Sequence, residues 1–111
     1  MKYAVIFTRT AERESHEVYR WLRDHTEQHS AEWYYGFYDA VQSLEIDPER
    51  CPLAPESAVV SVDVRRMLYG NRRHAYRVLY LIRGSSVYIL HVRHAARASM
   101  RRDEIELPPE E

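Results

Sequence analysis

The sequence predicts an α+β fold in which an antiparallel sheet packs against an N-terminal α-helical hairpin, with the element order β-α-α-β-β-β. A short apolar run at residues 2–7 is typical of a strand, and two stretches with apolar residues at helical spacing follow it. Three runs rich in valine, leucine, isoleucine and tyrosine, separated by glycine turns, come next. A chain of 111 residues suits one domain, which we expect over residues 1–100, with a polar C-terminal tail over residues 101–111.

The first helix is predicted to begin at Thr10, whose hydroxyl can cap the first turn. Glu12 and Glu14 follow at once, where negative charge is favourable near the positive end of the helix dipole. The apolar residues beyond them recur at helical spacing, so we expect the helix to run to about His25 or Gln28.

The second helix has Ser30 as its candidate cap and ends before Asp47-Pro48. Gly36 lowers its helix propensity slightly but permits close packing against a neighbour. Because the polar link over residues 26–29 is short, the two helices are expected to form an antiparallel hairpin. The apolar stripe of this helix consists of Trp33, Tyr34, Phe37, Ala40, Val41 and Leu44.

The second half of the chain is predicted to form a meander of three strands. Three prolines within eight residues indicate an irregular loop over residues 47–58. Gly70-Asn71 and Gly84-Ser85-Ser86 indicate turns between successive strands. The N-terminal strand must join this sheet, because its apolar residues would otherwise remain exposed. The three predicted strands cover residues 59–69, 75–82 and 87–92.

The charge is distributed unevenly along the chain. Residues 9–61 contain five arginines and eleven acidic residues, whereas residues 62–102 contain ten arginines, no lysine and a single acid, Asp63. Such asymmetry indicates that one face meets an anionic partner, and arginine favours bidentate contacts with phosphate or carboxylate. Composition alone does not separate a nucleic acid from an acidic protein, and surface arginines also serve solubility.

Cysteine usage and hydropathy exclude several classes of protein. Cys51 is the single cysteine, which excludes an internal disulfide, a CxxC redox motif and a multi-cysteine zinc site. A zinc site from Cys51, His91 and His94 is disfavoured, because residues three apart on a strand point to opposite faces. We therefore expect no metal and no cofactor. The apolar run of residues 3–7 is too short for a membrane span, so a cytoplasmic location is expected.

Three stretches in the last half of the chain carry a resemblance to known proteins: Val64-Arg65-Arg66-Met67-Leu68, Tyr76-Arg77-Val78-Leu79-Tyr80 and Val87-Tyr88-Ile89-Leu90-His91-Val92-Arg93-His94. They resemble the RelE/ParE toxin superfamily, the toxins of type II toxin–antitoxin and plasmid stabilisation systems. The loop over residues 50–56, Arg-Cys-Pro-Leu-Ala-Pro-Glu, looks like that of a ParE-like branch. The resemblance covers roughly residues 2–97 and is specific mainly because its motifs occur in the right order.

The resemblance implies a role for Arg77, because mRNA-cleaving relatives use an arginine of this strand motif in their catalytic surface. Attack by a ribose 2′-hydroxyl needs a base, an acid and a cation at the phosphate, and arginine can supply the cation. His91 and His94 are the candidates for acid and base in a RelE-like activity. The alternative is structural, because strand parity places Arg77 on the same face as Leu79 and Leu81.

Other basic residues are candidates for contact with phosphate or a protein partner. In RelE-like members the strand containing Arg65 and Arg66 often has basic residues, although one of the two can instead pair with an acid. The candidate set is Arg65, Arg66, Arg72, Arg73, Arg93 and Arg97. The chain has no tyrosine after Tyr88 and lacks the closing His-Tyr pair of one mRNA-cleaving branch, so the resemblance favours the ParE branch.

Three functions follow from the resemblance. The chain either arrests growth by poisoning DNA gyrase, or cleaves mRNA on the ribosome as a metal-independent endonuclease, or is a non-toxic member that only binds an antitoxin. All three imply a cognate antitoxin with an acidic or apolar segment that wraps this domain. We expect no membrane contact, and contact with DNA only through the antitoxin complex, because no DNA-binding motif is recognisable here.

Overall fold

The computed structural model describes residues 2–25, 30–71 and 75–109, and it confirms the α+β class with the helices preceding the three-strand meander. Short 3-10 turns occur at Ser43–Glu45, Pro48–Arg50 and Arg102–Glu104. The helices and strands are β1 (Ala4–Phe7), α1 (Arg9–His25), α2 (Ser30–Gln42), α3 (Ser57–Val60), β2 (Arg65–Tyr69), β3 (Tyr76–Arg83) and β4 (Ser86–His94).

The four strands form one sheet in the order β1-β4-β3-β2. The meander of β2, β3 and β4 is antiparallel, and β1 joins it as predicted, parallel to β4 at the outer edge. Because β1 pairs only from Ala4 with Ser86 to Phe7 with Ile89, the last residues of β4 extend beyond it. The edge of β4 there meets α1, where the Glu14 carboxylate accepts the Val92 backbone N–H at 3.1 Å.

The sheet is buried on both faces. On the hairpin face, Tyr76, Val78 and Tyr80 pack against the helices. On the opposite face, Leu79 and Leu81 belong to a second cluster. Alternation along β3 therefore sends successive side chains into two different cores, which is why nearly the whole strand is buried. The other buried members of the two clusters are Ala11, Phe37, Val41, Leu44, Val87, Ile89 and Val92 on the hairpin face and Ala54, Val64, Leu90 and Met100 on the opposite face.

Two local predictions were wrong in detail. The first helix begins at Arg9, because the Thr8 hydroxyl accepts the Ala11 backbone N–H at 3.1 Å, and Thr10 lies buried inside the helix. The segment predicted as an irregular loop and the start of a strand contains the helical turn α3. Ser57 stabilises this turn, since its hydroxyl donates to the Val64 carbonyl at 2.8 Å and accepts the Val64 N–H at 2.9 Å.

The C-terminal segment (residues 100–109) lies against the protein instead of extending from it. Met100 is buried in the cluster on the opposite face, and Ile105 packs beside it. Farther along, the Arg83 guanidinium donates to the Pro109 carbonyl at 2.9 Å. No helix within the described part of the chain is long and apolar enough to cross a membrane.

Candidate functional site

Arg77 lies on the opposite face of the sheet in a buried ion pair with Glu56. Its Nη1 donates to both carboxylate oxygens, at 3.2 and 3.1 Å, and the two side chains are 8% and 0% exposed. The Met100 backbone N–H donates to the same carboxylate at 2.9 Å. Arg77 therefore connects β3 to the loop before α3 and, through Glu56, to the C-terminal segment.

The Glu56 carboxylate is charged despite its burial. Burial alone would raise its pKa, but hydrogen bonds from the backbone N–H groups of Met100 and of Glu56 itself, together with Arg77, lower the pKa below its ordinary value. Both members of the pair are therefore ionised at neutral pH. This geometry favours the structural interpretation of Arg77 over the catalytic one.

Arg93 lies directly across the ladder from Arg77 and is also buried, at 8% exposure. Its Nη1 reaches the Glu104 carboxylate of the C-terminal segment at 3.5 Å, the outer limit for a hydrogen bond. Among the residues that the structure describes, Arg77 Nη2 and Arg93 Nε are buried without a hydrogen-bond acceptor. Two like charges side by side thus keep unsatisfied donors, an arrangement that costs stability.

His91 is buried between α1 and the C-terminal segment. Its Nε2 accepts the Glu106 backbone N–H at 3.1 Å, and its Nδ1 lies 3.1 Å from the Glu14 carboxylate. A backbone N–H can only donate, so Nε2 carries no proton and Nδ1–H donates to Glu14. Both nitrogens of the imidazole are therefore engaged.

His94 lies on the hairpin face, away from His91. It pairs with Tyr76 across the ladder, and the two rings meet edge to face at 5.2 Å. Its Nδ1 accepts the Ala96 backbone N–H at 3.1 Å. The strand register thus places Arg77, Arg93 and His91 on one face, while His94 lies on the other.

The other arginines that were predicted to contact phosphate or a protein partner lie in different surroundings. Arg65 donates to the carbonyls of Glu49 and Cys51, at 3.1 and 2.7 Å, and so holds the loop before α3. Arg66 is half-buried on β2, and Arg97 is exposed beyond β4. Arg72 and Arg73 fall outside the described residues. Within the described ranges, no three His, Cys, Asp or Glu side chains are grouped so that they could hold a metal ion.

A groove of about 530 Å³ lies between α1 and the end of β4 that β1 leaves uncovered. Trp21, which is 48% exposed, contributes a large apolar surface to it. Arginines line one side and glutamates of α1 the other, so the groove is amphipathic. It is lined by Glu14, Glu17, Val18, Trp21, Tyr76, Val92, Arg93, His94 and Arg97.

A basic stripe on α1 was not predicted from the sequence. Arg9, Arg13, His16 and Arg20 are exposed and, together with Glu12, line one shallow depression. Their spacing of four, three and four residues places them on one helix face. The signal was present in the sequence but was hidden by the acidic average of residues 9–61, because charge summed along the chain ignores helical periodicity.

The chain combines an α+β fold, in which a two-helix hairpin covers one face of the sheet, with an arginine-rich last half. A matching family model places it among the type II toxins of the RelE/ParE superfamily. A family model described as "ParE toxin of type II toxin-antitoxin system, parDE" matches residues 5–99. The chain therefore belongs to the ParE toxin family, which implies a cognate antitoxin as partner. No curated protein matches this chain in sequence.

Proposed function

We propose that this chain arrests growth by binding and poisoning DNA gyrase, and that a cognate antitoxin neutralises it by binding the same domain. The observation that carries this proposal is the engagement of Arg77 and His91 in buried structural contacts. A binding mechanism needs accessible surface on the protein, whereas an RNA-cleaving mechanism needs these side chains at the phosphate.

The chemistry of RNA cleavage fits this arrangement poorly. A general base must lie within hydrogen-bond reach of the ribose hydroxyl, and the cation must reach the phosphate oxygens. Arg77 is 7% exposed and held by Glu56, and both nitrogens of His91 are engaged. His94 lies on the other face of the sheet, so it does not complete a site with them.

The groove beside Trp21 supports antitoxin binding. Its apolar surface suits the apolar positions of an extended or helical segment, and Arg97, which is exposed beyond β4, suits an acidic side chain on that segment. The groove lies at the end of β4, where its strand edge is not covered by β1. A segment of the antitoxin bound here would cover Trp21 and neutralise part of the arginine-rich half.

The proposal is tested by pulse-labelling DNA and protein synthesis in bacteria just after this chain alone is induced. We expect DNA synthesis to fail first, with induction of the damage response, because a gyrase poison breaks DNA. If protein synthesis stops within minutes while DNA synthesis continues, the chain is an mRNA endonuclease. If neither changes while soluble protein accumulates, the chain is a non-toxic member. Co-expression with the antitoxin should restore growth in the first case.

A further inference from the structure

Three consecutive residues of the C-terminal segment, Glu104, Ile105 and Glu106, occupy the opposite face of the sheet as a bound peptide would. The Glu104 carboxylate approaches Arg93, and Ile105 packs against the apolar cluster of that face. The Glu106 backbone N–H donates to His91 Nε2, and its carboxylate accepts the Thr10 hydroxyl. An acidic, an apolar and an acidic side chain thus each meet a matching environment.

At Glu104 the segment does not satisfy all the hydrogen-bond donors of the surface that it covers. The Arg93 Nη1–Glu104 Oε2 distance is 3.5 Å, and buried N–H groups of Arg93 and Arg77 lack an acceptor among the described residues. The Glu104 carboxylate also accepts the Arg101 backbone N–H at 2.8 Å, so it is shared between two partners. A carboxylate free of this second contact could come closer to Arg93 and satisfy more of the donors.

We propose that the surface formed by His91, Arg93 and the adjoining apolar cluster binds a peptide segment with an acidic-apolar-acidic pattern, and that residues 104–106 fill it in the free chain. This inference rests on the proposed function, because it assumes that the partner is a protein. Beyond that function, it specifies the chemistry of one binding site and names residues 104–106 as the segment that the partner displaces.

The C-terminal segment competes with a partner for this surface, and this competition lowers the partner's apparent affinity. A tethered segment is present at a high effective concentration, and a partner's apparent affinity falls with the fraction of the site left open. Loosening the segment should therefore raise the affinity for an outside peptide without changing the site. Removing the Arg93 charge should lower that affinity in the loosened chain.

The test uses the full chain and a fluorescein-labelled peptide with the sequence of residues 100–109, followed by fluorescence anisotropy. Ile105→Asn loosens the segment, and Val62→Asn makes the same type of change at an exposed site in the loop before β2. We expect Ile105→Asn to bind the peptide at least about tenfold more tightly than wild type. The control Val62→Asn should bind the peptide with the same affinity as wild type. Adding Arg93→Gln to Ile105→Asn should abolish the gain.

Hydrogen exchange verifies the displacement itself. In Ile105→Asn the amides of Met100 and Glu106 should exchange faster, while β3 and β4 remain protected. If Ile105→Asn does not fold by circular dichroism, Glu104→Gln is the milder variant, with a smaller gain in affinity expected. The same peptide with glutamines replacing its glutamates should bind neither variant.

Three outcomes would overturn the inference. Equal affinity of wild type and loosened chain would show that the segment does not occupy the site. A gain that survives Arg93→Gln would place the peptide elsewhere. An oligothymidylate that binds the loosened chain more tightly than the peptide would assign the surface to nucleic acid. All are measured on purified protein, so they stand apart from the pulse-labelling result.

Discussion

Arg77 and Glu56 are buried together, and each depends on the other for its charge to be tolerated in the interior. Moving one ion out of water is costly, and a pair is stable only when it makes further hydrogen bonds. Here the Met100 backbone N–H supplies one of these bonds to the carboxylate. The pair thus fixes the relative positions of β3, the loop before α3 and the start of the C-terminal segment.

This pair makes stability depend on pH in a defined direction. Because the pKa of folded Glu56 lies below its ordinary value of 4.5, its contribution is present above about pH 4.5. It is lost as the pH falls through the lowered pKa of the folded state, since protonation then removes the charge. Glu56→Gln should destabilise the chain by about 3 kcal/mol at neutral pH, because it leaves Arg77 buried without a counter-ion.

Urea unfolding of wild type and Glu56→Gln between about pH 7 and pH 3 measures this effect. The difference in free energy of unfolding should shrink as the pH falls. Glu17→Gln is the matched control, because Glu17 pairs with Arg13 at 3.5 Å on the surface, where the change should cost less than about 1 kcal/mol. A difference that stays constant over this pH range would show that Glu56 is not titrating as argued.

At the scale of elements, α2 approaches β2 through Gly36. A Cβ built on Gly36 would overlap the hydroxyl of Tyr69, while the next atom of that ring lies 3.5 Å away. The Tyr69 hydroxyl donates to the Trp33 carbonyl at 3.1 Å, so it cannot move without losing a hydrogen bond. The absence of a side chain at Gly36 is therefore needed for the packing of the helix against the edge strand.

Gly36→Ala is expected to destabilise the chain, although alanine is favoured over glycine in a helix by about 1 kcal/mol. In a Tyr69→Phe background the hydroxyl is gone and the remaining ring atom is at ordinary contact distance. There the same Gly36→Ala change should stabilise the chain. Thermal and urea unfolding of the two single variants and the double variant form the cycle. A destabilising Gly36→Ala in both backgrounds would exclude the Tyr69 hydroxyl as the cause.

At the scale of the molecule, the fold could be predicted from the sequence because each element carries its own periodicity. The order of elements and the meander were predicted correctly, and strand parity placed Arg77 with Leu79 and Leu81. The partner of Arg77 could not be predicted, because Glu56 is twenty-one residues upstream in a loop without periodicity. Its pairing depends on how the chain crosses the opposite face, which local patterns do not encode.

The tertiary contacts of the C-terminal segment could not be predicted, for a related reason. Its residues 101–104 are all charged, which is typical of a solvated tail, and Met100 and Ile105 are too few to form a periodic pattern. The segment is held by tertiary contacts with Glu56, His91 and Arg93. Each of these partners lies on or beside the opposite face of the sheet. A sheet covered by helices on one face only would have left Leu79 and Leu81 in water.

The groove beside Trp21 leads to a prediction for the complex with the antitoxin. Trp21 is 48% exposed, while Trp33 stacks on Phe37 at 5.3 Å within the hairpin core. A partner segment that fills the groove should remove water from Trp21 and shift the tryptophan emission of the chain to shorter wavelength. The shift should be absent in Trp21→Phe, which keeps an aromatic side chain in the groove and should still bind. If gel filtration shows that wild type forms the complex but its tryptophan emission does not shift, the antitoxin binds another surface. The groove would then be free for the toxin's target.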